Sequence, residues 1–155
     1  MKSEESSTNI RILPDICVLI SHTLSRVIEL GFLEGFEILI PDSVEYVVQI
    51  LCEGSLQAGF FNEIDKLKEL EAERKIDILH CSYEIPNFKT KKELIDHEDD
   101  LILEIAIITD SILFTSDKGL RDKAISVKQP IIYFPGKYQK NIKNIYMNFK
   151  QIDFF

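Results

Sequence analysis

Short apolar runs that read as strands alternate with stretches of helical periodicity along this chain, and no other feature limits its fold so much. The strand-like runs are residues 10–16, 36–40, 75–79, 112–115 and 130–134. Between them, Leu19, Leu24, Val27, Ile28 and Leu30 recur at helical spacing. So do Val44, Val47, Val48 and Leu51, then Phe60, Ile64, Leu67 and Leu70, and finally Leu101, Ile102, Ile105, Ala106 and Ile108. A short helix is expected over 119–127, and the stretch 80–92, with Pro86 and a basic run, reads as a loop. Strands that are apolar throughout, each followed by a helix, belong to a parallel sheet covered on both faces. The pattern predicts a three-layer α/β/α domain with a mostly parallel sheet of four or five strands.

That architecture gives the acids a meaning. Right-handed crossovers bring the C-terminal ends of the strands to one edge, where open sheets bind ligands. Asp15, the pair Pro41-Asp42, and Asp117 all fall at such ends. A second acidic group, Glu98, Asp99 and Asp100, opens the helix before the strand that ends on Asp117. Each acid alone has an ordinary explanation. A strand-end Asp caps a turn or the next helix, and acids in a helical first turn complement the dipole. His97 reads as a surface residue beside an acidic turn.

The 155 residues suit one domain with a sizeable core. The longest apolar runs, about five to seven residues, fall far short of the roughly 20 that span a bilayer. A polar lead over 1–9, a domain over 10–136 and an extension over 137–155 are expected, with no membrane segment and a cytoplasmic location. Cys17, Cys52 and Cys81 are odd in number and far apart, which suits reduced, buried thiols. The net charge of −8 opposes broad nucleic-acid binding, yet residues 118–155 hold eight Lys or Arg against two acids.

The residues also carry a family resemblance. ILPDICVLI, EGFEILIPDSVEYVVQ, GFFNEIDKLKELEAERKIDI and HEDDLILEIAIITDSILFTSDKGLRDKAISVKQPIIYF resemble, in order, the successive parts of a PIN domain, including its signature TSD. PIN domains are small metal-dependent nucleases. The likeness spans roughly residues 10–135 and is to the archaeal type found alone or at the front of PilT-like ATPases. It implies that Asp15, Asp100 and Asp117 are catalytic acids holding Mg²⁺ or Mn²⁺. Glu98, Glu45, Thr115 and Ser116 would support them, and Lys118, Arg121 and Lys123 would hold the RNA backbone. Hard cations prefer carboxylate oxygen, and one or two can activate water and stabilise the leaving oxygen.

Three positions depart from the family pattern. Val47 stands where the family usually has a Glu six residues after the Pro. Glu45 is about 200° away around a helix and cannot point the same way. Ile16 and Cys17 follow the first Asp in place of a hydroxyl residue, and Ser21 replaces a further acid. The resemblance implies an RNA-hydrolysing enzyme, a homodimer and, from toxin-type relatives, a protein partner. The missing acid motivates the alternative, a degenerate domain that binds RNA or protein without cleaving. A phosphoacceptor receiver domain ranks last, because Lys137 is poorly placed for its late-strand lysine.

Overall fold

The computed structural model describes residues 10–82 and 89–135, and the expectations for 1–9 and 137–155 fall outside them. Five strands form one parallel sheet, β1 (Arg11–Pro14), β2 (Glu37–Pro41), β3 (Asp77–Cys81), β4 (Ile112–Thr115) and β5 (Ile131–Tyr133), in the order β3-β2-β1-β4-β5. The expected α/β architecture is present with five strands. Burial explains the order. Ile12, Leu13, Pro14 and all four residues of β4 are buried, as central strands require, whereas β3 and β5 at the edges are only partly covered. Phe114, Phe60 and Phe134 are the largest fully buried side chains. Each contributes about 1.5–3 kcal/mol by leaving water.

The helices are α1 (Ile16–Ile20), α2 (Thr23–Glu29), α3 (Asp42–Leu51), α4 (Ser55–Ala72), α5 (Lys91–Ile108) and α6 (Lys118–Ser126). Two depart from the periodicity reading. The helix expected from Val18 to Leu30 breaks into α1 and α2 at His22, which is left-handed at φ 62°. Its cause lies 41 residues away. Glu63 on α4 is fully buried, and its carboxylate accepts hydrogen bonds from Ser25 N (2.8 Å) and Ser25 Oγ (2.8 Å) and pairs with His22 Nδ1 (2.9 Å). It thereby satisfies a backbone donor that the start of α2 would otherwise leave bare. Gly59 admits α4 close against α1, since a Cβ there would lie 3.3 Å from Ile20 O.

The second departure is α5, which begins at Lys91, seven residues before the acidic cluster expected to open it. Thr90 Oγ1 accepts from Glu93 N (3.1 Å), while Glu93 Oε1 accepts from Lys89 N (2.7 Å). This reciprocal capping stabilises the start of the helix. Glu98, Asp99 and Asp100 therefore sit in its third turn, where they complement no dipole. Among the described residues no helix is long and apolar enough to cross a membrane.

Candidate functional site

The strand order reverses at β1, which has β2 on one side and β4 on the other. Parallel sheets open a crevice at the carboxyl end of such a point. The register Leu13↔Leu113 and Pro14↔Phe114 continues into an Asp15 N to Phe114 O bond of 2.9 Å, setting Asp15 beside Thr115. Thr115 is fully buried and joins two of the acids. Its hydroxyl donates to Asp15 Oδ2 and accepts from Asp117 N at 2.9 Å.

Both strand-end acids cap helices. Asp15 Oδ1 accepts from Cys17 N (2.8 Å) and Val18 N (3.3 Å) at the start of α1. Asp117 Oδ1 accepts from Gly119 N (2.8 Å) and Leu120 N (3.4 Å) at the start of α6. Capping thus accounts for one oxygen of each carboxylate. It does not account for the setting they share. Asp15, Asp117, Glu98 and Asp99 line a single cavity of about 370 Å³.

The helix decides which acids of the cluster arrive there. Successive residues turn by about 100°. Glu98 stands on the stripe of Leu94, Leu101, Ile102 and Ile105, all buried, and Asp99 flanks that stripe. Asp100 lies a further step around. Its exposed carboxylate pairs with Lys123 Nζ at 3.0 Å, and it is not among the cavity's lining residues. Asp99, rather than the Asp100 that the resemblance makes a metal ligand, is thus the acid of this pair that lines the cavity. The signal was present in the sequence, because Glu98 is in phase with the apolar stripe and Asp100 is not.

The electrostatics follow from crowding. Burial, then the charges of Asp99, Asp15 and Asp117, push the Glu98 carboxyl up to about 7. Asp99 is also raised, by burial and then by Asp117, with Lys123 opposing. Burial raises Asp15 against the hydrogen bonds from Cys17, Thr115 and Val18. Cys17 Sγ donates to Asp15 Oδ1 at 2.7 Å and lies 3.1 Å from Ser116 Oγ. Cys17 is exposed, against the expectation of buried thiols, but its sulfur is turned in against Asp15. Burial there and the Asp15 charge push the thiol up to about 12, so Cys17 stays protonated and serves as a donor to Asp15.

The other positions implied by the resemblance are placed as follows. Glu45 is exposed and accepts from Gln49 Nε2 at 3.3 Å, away from the cavity, while Val47 is buried in the cavity wall. On α6, Arg121 lies 4.5 Å above the Tyr133 ring and bonds Asp122 Oδ1 through Nη2 at 2.9 Å, and Lys123 is held by Asp100. Lys118 is exposed one residue beyond Asp117.

No family's sequence profile matches the chain, and no characterised protein does. Solved structures do. A domain of a functionally unknown protein from Methanocaldococcus jannaschii DSM 2661 is 26% identical, covering 82% of this chain and 92% of that one, with a TM-score of 0.68. A PilT N-terminus domain protein from Sulfolobus solfataricus P2 is 11% identical, covering 90% and 93%, with a TM-score of 0.45.

The donor set fits a hard divalent cation in kind. Four carboxylates share one partly buried cavity, and three of them are pushed toward protonation. A cation would relieve that repulsion. Among the described residues, no three acidic, His or Cys side chains stand close enough to hold one ion. Binding would therefore require the α5 carboxylates to close toward Asp15 and Asp117.

Proposed function

We propose that this protein is a Mg²⁺- or Mn²⁺-dependent ribonuclease whose cation is held by Asp15, Asp99 and Asp117, with Glu98 beside them. The observation that carries this reading is the gathering of those four carboxylates in one cavity at the switch point of the sheet. The ordered PIN-like segments support it. A bound cation would polarise the phosphodiester and acidify water, which is the chemistry hydrolysis requires. The chain's own groups set the stage. Thr115 fixes the spacing of Asp15 and Asp117. Glu98, raised in the metal-free protein by burial and by the charges of Asp99, Asp15 and Asp117, would ionise more readily once a cation offset those charges and would stand beside it as a further carboxylate. Lys118, Arg121 and Lys123 lie on α6, directly after Asp117, where a phosphate backbone would pass. A homodimer and a protein partner remain proposals from the resemblance.

Calorimetric titration with Mn²⁺, alongside a cleavage assay on mixed RNA, tests the reading. Asp→Asn changes keep the capping ability of Asp15 and Asp117, so they report on charge. Asp99→Asn and Asp117→Asn are expected to weaken Mn²⁺ at least about tenfold and to abolish cleavage, with Asp100→Asn close to wild type. A wild type that neither binds Mn²⁺ nor cleaves any RNA overturns the proposal. That outcome favours the second reading, a non-cleaving RNA- or protein-binding domain, which the apolar Val47 in the cavity wall motivates.

A further inference from the structure

Only one end of the cavity is acidic. The rest of its wall is mostly apolar, with Ile16, Ile20, Val44, Val47, Ile102 and Ile105 of α1, α3 and α5 among the side chains that line it. Within that wall lies Ser43, 1% exposed, whose hydroxyl has no hydrogen-bond partner among the described residues. A buried hydroxyl left unpaired costs about 1–3 kcal/mol, and native structures rarely tolerate one without a reason. Ser21 also lines the space, but its hydroxyl is engaged by Thr23 Oγ1 at 2.7 Å. The cavity, at about 370 Å³, is near the lower end of the roughly 300–1,000 Å³ typical of small-ligand sites. It suits one compact group and is too small for a length of strand.

We infer that this apolar cleft is a subsite for a single nucleobase of the RNA substrate, stacked between the α3 and α5 side chains with one edge bonded to Ser43. The inference rests on the ribonuclease reading, since it uses the cavity's continuity with the carboxylates. An aliphatic side chain would leave the Ser43 hydroxyl unpaired. An anion in the cleft would meet Glu98 and Asp99. An uncharged, flat ring with polar edges satisfies both conditions, and the phosphate joined to it would lie toward the acids. Val47 is central to this, because a carboxylate at that position would add charge to the wall on which the ring must lie. The subsite would make cleavage depend on the base next to the scissile bond.

The test uses nucleosides, which carry no phosphate, in EDTA, so that it does not depend on the cation site. ¹⁵N-labelled protein is titrated with adenosine, guanosine, cytidine and uridine, with N-acetyl-leucine amide as an aliphatic control. At least one nucleoside is expected to shift the amides of Ser43, Val47, Ile102 and Ile105 saturably. Ser43→Ala should weaken it about threefold to tenfold, and Val47→Phe, which fills the cleft, should abolish it. The ¹⁵N spectrum of each variant confirms that it is folded. If no nucleoside binds, or the leucine amide binds more tightly than all four, the subsite is overturned even where Mn²⁺ binding and cleavage are intact. Nucleoside binding without Mn²⁺ binding leaves the subsite standing and removes the cation site.

Discussion

Replacing Glu98 with Gln should stabilise the metal-free protein, and only at neutral to alkaline pH. The Glu98 carboxyl is pushed from 4.5 to about 7, chiefly by burial and then by Asp99, Asp15 and Asp117. Its folded-state value lies above its unfolded value. The folded protein therefore holds this proton more tightly, so the stability it contributes is complete below about 4.5 and is lost as pH rises through about 7. At 1.36 kcal/mol for each tenfold step, the full effect is about 3 kcal/mol. The side chain is only partly buried, and solvent screening reduces this to about 1–2 kcal/mol. Glu98→Gln removes the ionisation while keeping the shape. In EDTA at pH 8 its melting temperature should exceed wild type by roughly 2–8 °C, at about 2–4 °C per kcal/mol for a chain of this size. At pH 4, where both side chains are neutral, the two should melt together. Thermal unfolding followed by circular dichroism at the two pH values decides it. A variant that is less stable at pH 8, or equally shifted at both, refutes the picture of crowded carboxylates.

Two further substitutions probe the framework around the site. Thr115→Val removes a fully buried hydroxyl that bonds Asp15 and Asp117 N. It should cost about 2–4 kcal/mol in urea unfolding, with Thr115→Ser recovering most of the loss. Glu63→Ala leaves Ser25 N and the start of α2 without their acceptor. A loss of about 2–4 kcal/mol is expected, together with faster amide exchange at His22–Ser25, and unchanged exchange there would refute the clamp.

The alternation of apolar strands and amphipathic helices was enough to fix a parallel α/β domain, because burial on both faces writes itself directly into local pattern. The same pattern put Asp15 and Asp117 at strand ends, and the helix turn correctly placed Glu45 away from Val47. Local pattern failed where the cause was distant. Nothing near His22 announces a helix break, since the carboxylate that receives the start of α2 comes from Glu63 on α4. The capped start of α5 at Thr90 moved the acidic cluster from a helix terminus into a helix body. There the turn of 100° per residue sends Glu98 and Asp99 inward and leaves Asp100 to Lys123. What the sequence determined by itself was the sheet and the edge on which chemistry would gather, because both follow from residue periodicity. Which acids meet in one cavity, and that an apolar cleft adjoins them, was decided only by packing. Proximity between β1, β4 and α5 depends on how the layers close over one another, and no window of sequence contains all three.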